Sequence, residues 1–283
     1  MGCKLQFVRR KDLQTGAGMA LSVCSFASGS SGNCYLVKSS STAILIDAGI
    51  STKRIHDSMA RTGTERSSID GVFITHEHSD HVRGLKVLTK KNPDWTIYAS
   101  EGTGEIISSS IYDESKLSCF SPGSTINVGD MQVHSIKISH DAADPVCYSI
   151  SSEGTNLLIM TDTGFVPDEA ATDMCDADII VMEANHEVNM LKAGPYPYNL
   201  KMRILGDRGH LSNETAGETL AETMSHDSRY RKIYLAHLSR ENNFPRLAFQ
   251  TVKNILEENN FYPGRDFSLD VMKRDEISGM ATI

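Results

Sequence analysis

The sequence predicts a compact α/β domain, and three observations lead to this class. The chain has 283 residues, of which 40% are hydrophobic, enough to bury one large core or at most two modest ones. Its apolar, strand-like segments form two strand-rich halves, and helical segments lie beside both. Histidines and aspartates stand at the ends of several strands. Together these features are typical of helical layers packed on sheets.

Cysteine usage, hydropathy and charge restrict the class further. The six cysteines are scattered without a Cys-x-x-Cys pair, so reduced thiols in a cytosol fit better than a disulfide framework or a zinc knuckle. No apolar run approaches the roughly 20 residues of a membrane helix, and the start lacks the apolar core of a signal peptide. We therefore expect a cytoplasmic protein without a membrane partner. The net charge of -8 argues against a surface that coats nucleic acid, but not against one local basic groove.

The first strands frame a loop of small residues. Residues 1–18 are expected to be a flexible extension, and the folded domain to span residues 19–283. Leu21–Phe26 and Cys34–Val37 read as strands, joined by a Ser/Gly loop whose backbone amides could hold a phosphate. This makes Gly29 and Ser30 candidate substrate contacts. A tight hairpin turn without a ligand explains the loop equally well.

The next strand ends in a carboxylate. Ala43–Ile46 is apolar and leads directly to Asp47, and a carboxylate at the end of a buried strand needs a partner. A ligand imidazole is one candidate partner, and the alternative is an ordinary turn aspartate. Ser51–Thr62 then reads as a helix.

The densest cluster of metal-ligand side chains follows the strand at residues 71–75. Residues 76–81 read His-Glu-His-Ser-Asp-His, and the apolar residues after them have helical spacing, so the cluster lies on a strand-to-helix turn. His76 and His78 can face one metal while Asp80 and His81 face a second. Imidazole and carboxylate ligands together suit zinc, manganese or iron. The alternative is a solvated polar loop.

This motif resembles the signature of the metallo-β-lactamase superfamily, and further segments resemble its YycJ/WalJ branch. They cover nearly the whole chain from about Met19 onward: 27–37, 46–49, 139–145, 161–164, 183–186, 194–198, 209–213 and 235–243. The resemblance implies a four-layer αββα sandwich and a hydrolase that binds two divalent ions, zinc or manganese, with iron as a further option. It also implies that Asp47 orients a metal-bound histidine.

The middle of the chain supplies further ligands. Thr96–Ala99 reads as a strand and Glu105–Ile111 as a short helix. Ser124–Val128 and Met131–Ile138 form a hairpin around Gly129-Asp130 that leads to a histidine. Alone, His140 would be an unremarkable surface histidine, but the resemblance implies that it completes the first metal site.

A second hairpin carries the expected bridging ligand. Pro145–Ser151 and Asn156–Met160 read as its strands, and Asp162 follows the latter. One carboxylate shared by two cations offsets their repulsion and holds them about 3.5–4 Å apart. Asp178–Met182 is another apolar strand, after which Glu183 and His186 are candidates for orienting the metal ligands.

The segment from 188 to 209 is basic and rich in tyrosine, and we expect it to form a small cap. Basic side chains bind phosphates, and tyrosines offer stacking faces for unpaired bases. A solvated helix face with inward-packing tyrosines is the alternative. The candidate substrate-binding residues here are Tyr196, Tyr198, Lys201, Arg203 and Arg208.

The last third predicts an anion site and the final ligand. Glu214 to Met224 reads as a helix with Ser212 as its N-cap, so His210 lies near a helix N-terminus, where an anion is favoured. Ser212 is therefore also a candidate substrate contact. His237 follows the apolar strand 233–236, and in the resemblance it completes the second metal site. A final helix lies around 247–256, and 267–272 is a candidate edge strand.

Taken together, these residues and the resemblance predict two metal sites and one free histidine. The first metal is held by His76, His78 and His140, and the second by Asp80, His81 and His237, with Asp162 between them. Asp80 and His210 are assigned to catalysis, and a hydroxide between the cations is the nucleophile.

The substrate is inferred from what surrounds the ligands, because this fold supports several kinds of hydrolysis. The resemblance implies a DNA exonuclease that acts from the 5′ end, linked to a two-component signalling system. Two alternatives stay open: hydrolysis of a small ester or thioester, and a regulatory binding protein that merely retains metals.

Overall fold

Two seven-stranded sheets lie at the centre of the computed structural model, which describes residues 21–282. The extension expected at residues 1–18 lies outside this range. No helix within 21–282 combines the length and the apolar character needed to span a membrane.

The first sheet comes mainly from the N-terminal half. Its strands are β1 (Ser22–Ala27), β2 (Cys34–Lys38), β3 (Ala43–Ile46), β4 (Ile69–Phe73), β5 (Ile97–Ser100), β6 (Leu117–Phe120) and β14 (Ala281–Thr282). Their order is β14-β1-β2-β3-β4-β5-β6. Pairing is antiparallel from β14 to β3 and parallel from β3 to β6. The parallel strands β3 and β4 therefore end side by side, with Ile46 opposite Phe73.

The second sheet comes from the C-terminal half. Its strands are β7 (Thr125–Val128), β8 (Met131–Lys137), β9 (Val146–Ser152), β10 (Thr155–Met160), β11 (Ile179–Glu183), β12 (Arg231–Ala236) and β13 (Phe267–Val271). Their order is β13-β12-β11-β10-β9-β8-β7, parallel from β13 to β10 and antiparallel from there on. Because β10, β11 and β12 are parallel, the residues that follow them meet at one edge of the sheet.

The helices cover the two outer faces. They are α1 (Thr52–Arg61), α2 (Ser79–Val82), α3 (Leu85–Lys91), α4 (Glu101–Ile107), α5 (Asp168–Asp176), α6 (Val188–Ala193), α7 (Tyr198–Leu205), α8 (Asn213–Met224) and α9 (Pro245–Glu258). Single 3₁₀ turns occupy 66–68, 108–110 and 114–116. The segment expected to form a cap thus contains α6 and α7.

Three apolar clusters separate the layers. One lies between the sheets, where Tyr35 and Phe73 of the first sheet meet Tyr148 of the second. A second cluster joins the first sheet to α1, α3 and α4, and the third joins the second sheet to α5, α8 and α9. The predicted four-layer αββα sandwich is therefore confirmed.

The fourth helix begins earlier than the sequence suggests. It runs from Glu101 to Ile107 rather than from Glu105 to Ile111, because Gly102 and Gly104 hide its start from propensity-based prediction. A Cβ atom at Gly104 would lie 2.4 Å from Cys119 Sγ, so close packing requires glycine there. Helix α5 and strands β6 and β14 were not predicted. Ser118 and Cys119 of β6 are both exposed, so this edge strand lacks an alternating pattern.

Candidate metal centre

The structure brings the predicted metal ligands together at the edge where β3, β4, β10, β11 and β12 end. His76, His78 and His140 form one group, called here the first triad. Asp80, His81 and His237 form the second triad. Within each triad the potential ligand atoms all lie within 4.8 Å of one another. Each triad therefore brings together side chains that could hold a divalent cation.

Backbone contacts fix the loop that carries four of these residues. The Asp80 carbonyl accepts a hydrogen bond of 2.7 Å from the Asn33 backbone N–H. A Cβ atom at Gly49 would lie only 1.6 Å from the same carbonyl oxygen. Residue 49 must therefore be glycine, because any side chain there would clash with the Asp80 carbonyl.

In the first triad, neutral groups orient the imidazoles. The Thr75 hydroxyl donates to Asp47, so its oxygen is left to accept from His76 Nδ1, 3.0 Å away. His140 Nδ1–H donates to the Gly209 carbonyl at 3.3 Å. His140 Nε2 then lies 3.3 Å from His78 Nδ1. The atoms that face the site are consequently the Nε2 atoms of His76 and His140 and the Nδ1 atom of His78.

In the second triad, buried carboxylates orient the imidazoles. His81 Nδ1–H donates to Asp47 Oδ2 at 2.7 Å, and His237 Nδ1–H donates to Glu183 Oε1 at 2.8 Å. Both carboxylate residues are fully buried. The remaining Nε2 atoms lie 3.5 and 3.6 Å from Asp80 Oδ2. A carboxylate behind a ligand imidazole fixes its tautomer and raises its basicity.

Asp162 lies between the triads. Its Oδ2 is 3.2 Å from His81 Nε2, and its Oδ1 is 3.9 Å from His140 Nε2. Burial alone would raise the pKa of Asp162, but the adjacent His237 and His81 outweigh it and hold the pKa well below its usual range. The carboxylate is therefore ionised and within reach of both triads.

Several buried nitrogen and oxygen atoms of these residues lack hydrogen-bond partners, which bears on whether the residues fit a metal. His76 Nε2 and His237 Nε2 are buried and have no hydrogen-bond partner in the described chain, and Asp162 Oδ2 has none of acceptable geometry. Such atoms are costly unless something satisfies them. All three face the triads, and divalent cations would satisfy them together. The donor set of imidazole nitrogens and carboxylate oxygens thus fits divalent metal ions.

Three of the site residues have left-handed backbones. Asp47, Asp162 and His237 have φ angles of 62°, 59° and 54°, and each follows the end of a strand. Non-glycine residues rarely adopt this region, and such outliers cluster at functional sites. The turns hold these three side chains in or beside the triads.

His210 lies at the rim of the centre. Its Nδ1–H donates to Glu183 Oε1 at 2.9 Å, so one carboxylate oxygen orients both His210 and His237. The His210 side chain is 19% exposed, whereas that of His237 is buried. Its Nε2 lies on the side of the ring away from Glu183. His210 is therefore placed to face a molecule bound at the rim.

A pocket of about 160 Å³, called here the rim pocket, adjoins His210. Its lining includes Ser30, Tyr196, Arg203, Arg208, His210 and Ser239. Four of the predicted substrate-binding residues thus line one pocket beside the metal ligands. Ser239 was not predicted, although it stands two positions after His237.

The basic side chains of residues 188–209 contact protein groups. Arg203 Nε donates to Asp141 Oδ2 at 2.5 Å, and Arg208 donates to the His140 carbonyl through Nε at 3.2 Å and Nη2 at 3.1 Å. Lys201 Nζ donates to the Lys192 carbonyl at 2.8 Å. The two arginines therefore brace the loop that carries a ligand of the first triad, a role the sequence did not indicate.

Other predicted contacts are placed away from the rim pocket. Tyr198 is 73% exposed on α7 and does not line it. The buried Ser212 accepts the Thr215 N–H at 3.0 Å as the N-cap of α8, so its hydroxyl is used by the helix. The Gly29 N–H donates to Asn33 Oδ1 at 2.9 Å, which leaves this amide satisfied inside its own loop.

His186 does not orient a ligand as expected. It is buried, and neither ring nitrogen has a hydrogen-bond partner among the described residues. Burial lowers the pKa of His186 to about 4, so the ring is neutral. The groups that orient the ligands instead include Thr75 and the Gly209 carbonyl, which carry no recognisable signal in the sequence.

Comparison with known proteins identifies related chains. A family profile described as a beta-lactamase superfamily domain matches residues 42–237. The exodeoxyribonuclease WalJ of Streptococcus pneumoniae is 40% identical over 247 residues, which cover 86% of this chain and 91% of that protein. The exodeoxyribonuclease YycJ of Bacillus anthracis is 38% identical over 254 residues, covering 89% and 95% respectively.

Solved structures share the fold. The metallo-β-lactamase fold protein YhfI from Bacillus subtilis superposes with a TM-score of 0.70 at 15% identity, over 93% of this chain and 100% of that one. Zinc-bound PqqB from Methylobacterium extorquens gives a TM-score of 0.64 at 16% identity, over 91% and 99%. At these identities the likeness concerns the fold alone.

Proposed function

Because this chain belongs to the metallo-β-lactamase superfamily and, within it, to the YycJ/WalJ branch, we propose that it is a two-metal phosphodiester hydrolase. We propose further that it is a DNA exonuclease acting from the 5′ end. The single observation that carries this proposal is the rim pocket, where Arg208 and His210 stand directly beside the metal triads, while Arg203 is paired there with Asp141. A pocket with cationic donors suits a phosphate diester.

We assign one ion to each triad, with Asp162 shared between them, and zinc or manganese as the metal, with iron as a further option. When bound, such ions would acidify an attacking water and stabilise the negative charge that develops on the phosphoryl oxygens. Asp47 and Glu183 hold the His81 and His237 rings in one tautomer, so the ligands need no rearrangement as the reaction proceeds.

His210 has a separate role in this proposal. With its Nδ1–H held by Glu183, the ring can present a proton at Nε2 to the leaving oxygen or to a non-bridging oxygen. Burial opposes the protonated ring, but the Glu183 carboxylate outweighs it and raises the pKa of His210. Asp80 acts through the second triad, where its carboxylate completes the ligand set.

The test is a substrate panel with added manganese. Matched oligonucleotides of DNA and RNA, with a 5′ phosphate or a 5′ hydroxyl, and a set of small esters would be compared on one preparation. We expect mononucleotides released stepwise from the 5′ end of DNA, and no turnover by His76→Ala. Ester hydrolysis with intact DNA would overturn the proposal, and release from the 3′ end would overturn its polarity. A cytoplasmic location and the link to a two-component system stay predictions.

A further inference from the structure

A second pocket opens on the other side of Ser239 from the rim pocket. This pocket, called here the Phe244 pocket, has a volume of about 230 Å³. Its lining includes Leu238, Ser239, Arg240, Phe244, Met272 and Arg274. Apart from Ser239, which also lines the rim pocket, none of these residues has a role in the metal centre described above, so the function of the pocket has to be sought separately.

The two pockets adjoin each other at the metal-binding edge. Ser239 lines both, and Ser28 and Ser30 of one loop line one each. Ser239 is two residues beyond His237, so their Cα atoms are at most about 7 Å apart. A chain molecule that has one phosphate at the rim pocket can therefore place its next unit in the Phe244 pocket.

The floor of the Phe244 pocket is apolar and its wall is aromatic. Leu238 and Met272 are buried, whereas Phe244 is 48% exposed at the start of α9. An exposed aromatic face beside an apolar floor matches a flat, largely apolar ring. Bases of single-stranded nucleic acid stack on such side chains without regard to sequence.

Two arginines supply the charge. Arg240 is exposed and makes no ion pair within residues 21–282. Arg274 is half-buried, and its guanidinium donates to the Leu238 carbonyl. Burial, and to a smaller degree the charge of Arg240, lower the pKa of Arg274, while Asp275 and Glu241 oppose the shift. The Asp275 carboxylate lies 3.7 Å from Arg54, so Arg54 neutralises part of its negative charge. The pair is thus suited to an anion.

Hydrogen bonds hold the backbone at Phe244 in place without a ligand. The Phe244 N–H donates to Asn243 Oδ1 at 3.0 Å. Asn243 Nδ2 in turn donates to the Ala184 carbonyl at 2.9 Å and to Asn213 Oδ1 at 2.8 Å, and both asparagines are buried. A backbone that is already ordered reduces the entropy lost on binding.

We infer that the Phe244 pocket binds one nucleobase of the substrate strand, next to the nucleotide at the metal centre, with Arg240 and Arg274 on the adjoining phosphates. This inference rests on the proposed function and adds a path for the strand: it runs from the triads through the rim pocket and past Ser239. It assigns Phe244 as the stacking platform and Arg240 as a backbone contact.

The experiment combines binding with a scan of abasic sites. A fluorescent, 5′-phosphorylated DNA decamer would be titrated, as its cleavage-resistant phosphorothioate form, onto the metal-loaded protein, and anisotropy would give Kd. We expect Phe244→Ala to weaken binding about tenfold. Tyr262→Ala is the matched control, because Tyr262 is 41% exposed just beyond the far end of the same helix, and it should leave Kd unchanged.

Moving one abasic site along the decamer locates the contact. In the wild type, one position should weaken binding by as much as Phe244→Ala does, and in Phe244→Ala that position should lose its effect, because the two changes remove the same contact. Equal sensitivity at every position, or a position that stays sensitive in the variant, would overturn the inference.

Turnover of the same decamer with manganese separates this failure from that of the proposed function. Cleavage by the wild type without a Phe244-dependent position removes the inference alone. A wild type that neither binds nor cleaves the decamer removes both. A changed sedimentation coefficient in Phe244→Ala, with unchanged Kd, would instead make this face a contact between two copies of the chain.

Discussion

The two triads differ in what stands behind their ligands. In the first, a hydroxyl and a backbone carbonyl orient His76 and His140. In the second, two buried carboxylates orient His81 and His237, and Asp80 adds a third carboxylate to the triad. The second triad is therefore the more negative, so we expect it to hold a cation more tightly. The identity of the triad residues reveals only the part of this difference that Asp80 contributes, because Asp47 and Glu183 lie behind the imidazoles.

The largest expected effect comes from removing the group that the triads share. Asp162→Ala deletes the carboxylate between them, so two cations would repel each other without compensation. We expect metal content to fall to one ion or fewer and hydrolysis to vanish. Elemental analysis measures this, with Asp176→Ala, an exposed carboxylate on α5, as the control. Two tightly bound ions in Asp162→Ala would refute the bridge.

The substitution His210→Ala distinguishes whether His210 is a metal ligand beside the second triad or only shares the Glu183 carboxylate with His237. As a proton donor, its loss should lower the maximal rate by about 10² to 10⁴. Metal content and melting temperature should stay nearly intact, since Glu183 still holds His237. Depletion of one ion would make His210 a ligand, and full turnover would remove it from the mechanism.

Asp47→Asn sharpens the contrast between the triads directly. Its carboxylate orients His81, and loss of such a group typically lowers metal affinity about 10- to 100-fold. Stepwise chelator titration should show the second triad weakened and the first little changed. Asp130→Asn is a suitable control. Asp130 lies in the turn between β7 and β8, away from the triads, and its carboxylate accepts hydrogen bonds from Ser39 and Ser40, which follow β2. If metal affinity fell equally at both triads, the proposed difference between them would be wrong.

The smallest effect is expected for Arg208→Lys, which touches only the first triad. A lysine cannot reproduce the two N–H bonds to the His140 carbonyl. A lysine can make one of the two bonds, and the loss of the other costs about 0.5–1.5 kcal/mol, so the first ion should bind at most about tenfold more weakly. If Arg208 contacts phosphate instead, metal binding stays constant while the salt dependence of DNA binding becomes shallower.

The ligand set was predictable where it forms a local pattern, and less so elsewhere. Residues 76–81 read directly as a metal loop after an apolar strand, and the outer layers follow from helical periodicity. His140 and His237 depended on the family resemblance, because one histidine after a strand carries little information. Neither the ring orientations nor the role of Thr75 could be predicted, since they depend on groups distant in the chain.

The substrate side was harder to predict for a physical reason. Tyr196 and Tyr198 are two positions apart, yet only Tyr196 lines the rim pocket, because α7 begins at Tyr198 and turns that residue outward. Likewise, the sequence suggests that Arg203 and Arg208 are free cations, whereas in the structure both contact the loop at residues 140–141. Composition indicates a basic segment but not the partners of its charges.

The left-handed backbones at Asp47, Asp162 and His237 also bear on how long the protein lasts in a cell. Each such residue costs about 1–3 kcal/mol, against a total stability of about 5–15 kcal/mol for a typical domain. A ligand that binds only the folded chain raises the free energy of unfolding by about 2.7 kcal/mol when its concentration is a hundredfold above its Kd. When metal is scarce, that contribution is lost and proteases meet a larger unfolded fraction. The cell's metal supply would thereby set the abundance of the protein as well as its activity.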